Sequence, residues 1–375
     1  MSQSKRVLFV YGTRPEAIKM APVIRAFKDD GSFTVSIAVT AQHREMLDQV
    51  SRFFSIKPDH DLDVMKPGQS LFDVTANCMK GLEYILQEEQ PDMVFVQGDT
   101  TTAFVGALAA FYHKIPVAHI EAGLRSGNKY SPFPEEMNRI MTGHLADLHF
   151  APTQAASDNL RKENICDSVH IVGNTVIDAL HWGQEILKGV SGDQVSKNLL
   201  QLPLNKRFVL ITGHRRESFG KPFEQLCAAI AEVANRHSDV HFIYPVHLNP
   251  NVQEPVNRML GGIGNIHLIS PLEYPAFIWL MERCHIVLTD SGGMQEEAPA
   301  LGKPVLVMRD TTERQEGIDA GTARLVGTSF EKITSSLEEL LADDSAYKKM
   351  AQAVNPYGDG RSSGRILQIV RNRFS

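Results

Sequence analysis

Short apolar, β-branched runs alternate with helical patterns along nearly the whole chain, and this alternation limits the fold more than any other feature. In the first half the runs at 7–11, 35–40, 93–97, 117–120, 148–151 and 169–172 read as strands. The second half offers 208–212, 241–244, 266–269, 286–289, 305–308 and 323–326. Helical patterns fit between them, among them 15–28, 71–87, 223–236 and 330–341. Strand–helix alternation of this kind gives parallel sheets with helices on both faces. A chain of 375 residues then divides into two domains of roughly 150–200 residues each.

An internal echo supports two sheets. VLFVYGTRPE (7–16) and FVLITGHRRES (208–218) share one plan: an apolar strand, a Gly, polar residues with a basic side chain, then a helix. Each reads as the first β-α unit of a Rossmann-like domain. The boundary is expected near 173–175 or in the polar segment 189–206. Residues 1–173 are assigned to the first domain and 174–360 to the second. The tail after the NPYGDG turn (355–360) reads as a helix, 361–375, that packs back on the first domain.

Several classes are excluded. A net charge of −6 does not provide the basic face that general nucleic-acid binding needs. Cys78, Cys166, Cys227 and Cys284 lie far apart with no CxxC spacing, and read as reduced, mostly buried thiols of a cytoplasmic protein. No signal peptide is apparent, and no apolar run approaches the roughly 20 residues of a membrane helix. No strand is followed by GxGxxG and no GxxxxGK[ST] occurs, so no bound NAD or other cofactor is expected. The histidines show no HxH or HExxH spacing, so no metal site is expected.

In parallel α/β domains, ligands bind beyond the carboxyl ends of the strands. The loop TDSGGMQEE (289–297) follows such a strand. Ser291 can cap the helix that begins there, while Gly292 and Gly293 let a ligand approach the backbone. Free N–H groups and a partial positive charge suit a phosphate. Glu296 and Glu297, placed in the first turn, need another partner, and ribose hydroxyls provide one. A phosphate seat with a hydroxyl acceptor points to a nucleotide.

Other strand ends carry further candidates. Arg14 and Lys19 sit near a helix start, where cations oppose the helix dipole and favour an anionic ligand; Glu16 is the alternative partner. Asp99 stands at a strand end where an N-cap role is the simpler reading. Glu121 ends a buried strand, with Arg125 or His119 as structural partners. Glu135 and Glu136 open a helix, where pairing with Arg139 is the bland alternative. Three acid-bearing loops in one domain are expected to converge on one cleft. In the second domain His214, flanked by Arg215 and Arg216, is suited to donate to a diphosphate or act as an acid. His247 follows another strand, and Arg309, Glu313 and Arg314 follow a third.

Together, GTRPEAIKMAP, TAQHREMLDQV, GDTTT, HIEAGLRS, PEEMNR, VGNTVIDAL, TGHRRESFG, YPVHLNPNV, TDSGGMQEEAP and GKPVLVMRDTTER closely resemble the non-hydrolysing UDP-N-acetylglucosamine 2-epimerases. The likeness runs from the first strand to the tail turn. It implies an α/β fold of two Rossmann-like domains with parallel sheets facing across a cleft, as in GT-B glycosyltransferases. It implies that UDP lies mainly on the second domain: Ser291, Gly292 and Gly293 on phosphate, Glu297 on ribose, Phe277 by uracil. Arg14 and His214 would contact the diphosphate or sugar, with Arg314 assisting and with Lys19 and Arg139 among the substrate contacts. Asp99, Glu121 and Glu135 would surround the sugar. One departure is visible: Gln315 stands where the family's TERPE pattern has Pro, which bears on the rigidity of the loop carrying Arg314.

The implied reaction is C2 epimerisation between UDP-N-acetylglucosamine and UDP-N-acetylmannosamine, through elimination of UDP, a 2-acetamidoglucal and re-addition. The resemblance also implies a homodimer and a second UDP-N-acetylglucosamine as activator near Gln42, His43, Arg44 and His247. A GT-B glycosyltransferase, a hydrolysing epimerase releasing free N-acetylmannosamine, and a non-catalytic nucleotide-sugar sensor are the rival readings.

Overall fold

The computed structural model of the chain describes residues 4–41, 44–65 and 68–375. Two compact units emerge, one running to Trp182 and including Tyr357–Ser375, the other Gly183–Pro356. The division falls within the helix Thr175–Leu187, between the two places, near 173–175 or in 189–206, where the sequence reading expected a boundary.

The first unit is built on strands β1 (Lys5–Tyr11), β2 (Phe33–Val39), β3 (His60–Asp61), β4 (Met93–Gln97), β5 (Val117–Ile120), β6 (Leu148–Ala151) and β7 (Val169–Ile171). They lie side by side in the order β3-β2-β1-β4-β5-β6-β7, every pair parallel. The strand order reverses between β1 and β4. The helix Arg14–Asp30 shows why the sequence folds this way. Thr13 precedes it in extended backbone, Pro15 occupies its first turn, and Gly31 ends it at φ 72°, a left-handed conformation that glycine adopts without strain. Its buried side includes Met20, Ile24 and Phe27. Phe27 packs edge-on against Phe9 of β1 and Phe95 of β4. Truncating such a ring to Ala costs about 3–5 kcal/mol.

The strand β3 escaped the sequence reading because it is a polar two-residue edge, with no apolar run to mark it. It pairs with Ala38 and Val39 of β2, and the Asp59 side chain just before it accepts the Ile37 N–H at 2.9 Å.

The second unit carries β8 (Phe208–Thr212), β9 (His241–Pro245), β10 (Ile266–Ile269), β11 (Ile286–Thr289), β12 (Val305–Val307) and β13 (Ala323–Leu325). Their order is β10-β9-β8-β11-β12-β13, again with every pair parallel. Here the reversal lies between β8 and β11. The helix Lys221–Arg236 buries Phe223, Leu226, Ile230 and Val233 against this sheet.

The terminal helix Ser362–Phe374 packs on Arg14–Asp30. Asp178 caps its start, accepting the N–H groups of Ser362 at 3.1 Å and Ser363 at 2.8 Å. Three cysteines are buried and Cys166 is exposed. No helix among the described residues is long and apolar enough to cross a membrane.

Candidate active site

Both reversal points lie at the carboxyl edge of a parallel sheet, where loops after neighbouring strands diverge and open a crevice. The candidate residues gather at these two edges.

In the first unit, Glu121 follows β5 with its backbone at φ 65°, an uncommon conformation for a non-glycine residue. Its side chain is buried and ion-paired to Lys19, whose Nζ stands 2.6 Å and 2.7 Å from its two oxygens. The Gln97 side-chain amide donates to the same carboxylate. The partners expected from sequence, Arg125 and His119, are engaged elsewhere. Arg125 makes a two-pronged pair with Glu163 at 2.7 Å and 2.7 Å. His119 meets the Gly98 carbonyl through Nε2 at 2.8 Å, and burial drives its pKa down to about 3, so it stays neutral.

Asp99 follows β4. It is held by Arg139, whose Nε donates at 2.8 Å and Nη2 at 2.7 Å. The helix after it is instead capped by Thr100, whose hydroxyl accepts the Ala103 N–H at 3.1 Å. Arg139 also pairs with Glu136 at 2.8 Å. Glu136 is buried, and burial opposes its charge. The N–H groups of Ser126 and Gly127 together with Arg139 outweigh that cost and lower its pKa. Glu135, on the same helix Glu135–Leu145, makes no hydrogen bond or ion pair among the described residues, so the expected pairing with Arg139 involves Glu136 only. Asp99, Glu121 and Glu135 therefore all stand at the carboxyl edge of this sheet, in three different electrostatic settings.

Arg14 likewise has no hydrogen bond or ion pair among the described residues. Its supposed partner Glu16 is buried and engaged elsewhere, accepting the N–H groups of Gly12 at 3.1 Å and Thr13 at 2.8 Å and the Thr100 hydroxyl at 2.6 Å. Burial lifts the Glu16 pKa to about 7 despite these donors. Glu16 ties the loop after β1 to the loop after β4, a role that only the folded arrangement reveals.

In the second unit, the helix after β11 spans Gly292–Ala300, with Ser291 at the N-cap position. The Ser291 side chain makes no cap hydrogen bond, contrary to expectation; its backbone N–H donates to Thr289 Oγ1 at 3.0 Å. Because the helix begins at Gly292, Glu296 and Glu297 fall in its second turn rather than its first. Glu296 is buried against Arg314, 2.8 Å away. Glu297 is half-buried, and its Oε2 lies 3.6 Å from where a Cβ on Gly293 would stand. A Cβ on Gly292 would lie 3.1 Å from Glu313 Oε1 and 3.4 Å from Arg314 Cζ, so both glycines keep this edge open.

Arg314 is clamped between Glu296 and Glu313, the latter 3.1 Å away. Burial works against the charge of Glu313, yet Arg314 and Arg309 bring its pKa down to about 2. Arg309 also reaches Glu217 at 3.1 Å. Gln315 opens the helix Gln315–Asp319 and bonds Asp319 at 2.9 Å. Phe277 is half-buried on the helix Tyr274–Arg283.

Across the reversal, His214 follows β8. Its ring stacks on His247, with centroids 5.1 Å apart and planes 11° off parallel. Burial and the neighbouring His214 lower the His247 pKa. Asp290, which sequence reasoning passed over inside the TDSGG loop, is buried and accepts the N–H groups of His214 at 2.6 Å and Arg215 at 2.7 Å. Of the residues proposed for a second nucleotide-sugar, Gln42 and His43 lie outside the described residues. Arg44 bonds Asp61 at 3.0 Å and pairs with Asp63 at 2.7 Å.

Chemically, the second unit offers helix N–H groups, cations and a histidine, a set suited to a diphosphate. The first offers carboxylates suited to proton transfer.

Comparison with known proteins identifies the family. The family model described as UDP-N-acetylglucosamine 2-epimerase matches residues 25–371. The UDP-N-acetylglucosamine 2-epimerase of Escherichia coli (strain K12) is 55% identical over 372 residues, 98% of each chain. The crystal structure of UDP-GlcNAc 2-epimerase from Neisseria meningitidis bound to UDP-GlcNAc is 49% identical with a TM-score of 0.89, covering 98% of this chain and 100% of that one. A glycotransferase of kitacinnamycin, 14% identical, shares the fold alone, with a TM-score of 0.67 and 98% of each chain covered. The architecture is thus the GT-B-like pair of Rossmann-like units common to these epimerases and glycosyltransferases.

Proposed function

This chain belongs to the UDP-N-acetylglucosamine 2-epimerase family, and on that premise we propose that it interconverts UDP-N-acetylglucosamine and UDP-N-acetylmannosamine without net hydrolysis. The observation that carries this reading is the buried Glu121 carboxylate, held by Lys19 and Gln97 at the end of β5. A protein that only senses the nucleotide-sugar has no use for acids around the sugar; a transferase is separated from an epimerase by the products formed.

The chemistry explains why several acids are needed. The C2–H of a closed amino sugar is not acidic, and no carbonyl lies beside it. Breaking the C1–O bond sends its electron pair to UDP and leaves positive charge at C1, which acidifies C2–H. A carboxylate takes that proton, the C–H electrons form the C1–C2 double bond, and 2-acetamidoglucal results. Protonation of C2 from the opposite face and attack of a UDP oxygen on C1 complete the inversion. Two faces require an acid and a base in different places. Asp99 and Glu121 handle the C2 protons, and Glu135 orients the sugar or supports one of them.

On the second unit, Ser291, Gly292 and Gly293 seat phosphate, Glu297 takes ribose hydroxyls and Phe277 lies by uracil. Arg14 and His214 stabilise the departing diphosphate electrostatically, with Arg314 assisting. Arg139 and Lys19 act by holding Asp99 and Glu121 in place. Arg44 and His247, with Gln42 and His43, are assigned to a second UDP-N-acetylglucosamine that activates the enzyme; sigmoidal dependence of rate on substrate is its signature. A homodimer is supported by Phe72, which is 86% exposed, and by the exposed Phe111 and Tyr112. Phe72 stands at the start of the helix Leu71–Glu89, and Phe111 and Tyr112 at the end of Thr101–Tyr112, so they are separate candidate contacts rather than one patch. Sedimentation of the wild type and of Phe72→Glu tests the assembly.

Incubation with UDP-N-acetylglucosamine alone, followed by NMR, tests the reaction. UDP-N-acetylmannosamine is the expected product. Free N-acetylmannosamine with UDP indicates the hydrolytic variant, and unchanged substrate a transferase or sensor.

A further inference from the structure

We propose that Asp290 is a positioning residue for His214: it anchors the backbone after β8 and holds the imidazole by Nδ1, so that Nε2 is the edge offered to a diphosphate. This rests on the reading of the second unit as the nucleotide seat.

The two oxygens of Asp290 are used differently. Oδ2 accepts both backbone N–H groups, from His214 at 2.6 Å and Arg215 at 2.7 Å. Oδ1 is buried and has no hydrogen-bond partner among the described residues. It stands 3.5 Å from His214 Nδ1, and the Asp290 side chain is only 3% exposed. A buried carboxylate oxygen without a donor is costly, and His214 Nδ1–H is the donor within reach. Hydrogen bonds of this kind are commonly long before a ligand is present.

The ring is restrained from other sides too. His247 stacks on its face, and the His247 ring is itself fixed because its Nδ1 accepts the Asn249 N–H at 3.1 Å. The Tyr244 hydroxyl donates to the Gly213 carbonyl at 2.7 Å. Arg215 Nε donates to the Asp290 carbonyl at 3.1 Å, and its Nη2 lies 3.8 Å from Glu313 Oε1. The charged groups around the imidazole are therefore Asp290, Arg215 and, through Arg215, Glu313, with His247 as its titratable neighbour.

The first unit uses the same device from the opposite side. There the helix residue Glu16 accepts N–H groups from the loop after β1, while in the second unit the β11 loop residue Asp290 accepts them from the loop after β8. In each case a buried carboxylate locks the loops at the strand-order reversal. Only Asp290 leaves an oxygen over, and it faces the histidine. With Nδ1–H directed at Asp290, Nε2 donates to a phosphate oxygen as the imidazolium, a charge-assisted hydrogen bond that strengthens as the diphosphate departs.

Asp290→Asn separates anchoring from ring control. Its carbonyl oxygen still accepts both backbone N–H groups, while its amide faces Nδ1. In the absence of UDP and at alkaline pH, where the ring is neutral, the ¹⁵N spectrum of the His214 imidazole, assigned by its loss in His214→Gln, is expected to move from the Nδ1–H to the Nε2–H tautomer. UDP affinity by calorimetry is expected to weaken about tenfold, and the same substitution in the His214→Gln background to add nothing further. An equal loss in both backgrounds, or an unmoved imidazole spectrum, overturns the proposal. Failure of the wild type to bind UDP overturns the nucleotide reading instead, and the imidazole spectrum still judges Asp290 on its own.

Discussion

Lys19 Nζ stands 2.6 Å from one oxygen of Glu121 and 2.7 Å from the other, with side-chain exposures of 14% and 6%. Removing one member of so enclosed a pair takes the opposite charge away from the other, at a cost of about 3 kcal/mol. Lys19→Met is expected to lower the melting temperature clearly. Adding Glu121→Gln to it is expected to recover most of that loss, since neither position then carries a charge. Thermal unfolding of the two single variants and the double variant reads this directly.

Arg139 fastens Asp99 and Glu136 together, and the neighbouring Glu135 side chain has no hydrogen bond or ion pair among the described residues. If these acids move protons, Asp99→Asn and Glu121→Gln each lower kcat by about 10²–10⁴-fold. UDP affinity is expected to stay near that of the wild type, because the proposed nucleotide seat is on the second unit. Glu135→Gln lowers kcat as well. Steady-state rates combined with calorimetry of UDP separate the two quantities, and near-normal turnover in all three variants contradicts the assignment.

Glu16 gives a pH dependence with a definite sign. Burial raises its folded pKa to about 7 from a reference of 4.5. Between those values the folded state holds the proton and the unfolded state does not. Stability is therefore greater below the reference pKa, falls as pH rises through about 7, and levels off above. The fall is on the order of 3 kcal/mol. Denaturant unfolding from pH 4.5 to 8 is expected to show this component in the wild type and to lack it in Glu16→Gln.

At the proposed phosphate seat, the Ser291 hydroxyl makes no cap hydrogen bond among the described residues, so Ser291→Ala is expected to change stability by no more than about 0.5 kcal/mol while weakening UDP binding. Gly292→Ala places a methyl 3.1 Å from Glu313 Oε1 and 3.4 Å from Arg314 Cζ. That group pushes on the Glu313–Arg314 pair by a few tenths of an ångström and narrows the approach to the helix, so UDP affinity is expected to fall further than in Ser291→Ala. Calorimetry of both variants with UDP checks the order.

The apolar strands were legible in the sequence because both faces of a parallel sheet are buried, so runs such as Met93–Gln97 and Ile286–Thr289 stand out. The polar edge His60–Asp61 carries no such mark. Site residues at strand ends were legible for the same reason, since a polar residue after a buried run is conspicuous. Their partners were not. Lys19 meets Glu121 across the sheet edge, Arg125 turns to Glu163, and Glu16 bonds backbone N–H groups rather than Arg14. Such pairings depend on side-chain directions that local spacing does not set. Asp290 was hidden because its acceptor role faces the loop after β8, 76 residues earlier in the chain.

The most direct test of the account is to run the reaction in D₂O with UDP-N-acetylglucosamine as the only substrate and follow C2 by NMR. The account predicts UDP-N-acetylmannosamine carrying deuterium at C2, with deuterium also entering the returned UDP-N-acetylglucosamine and no free sugar accumulating. UDP-N-acetylmannosamine that retains the original C2 hydrogen contradicts it.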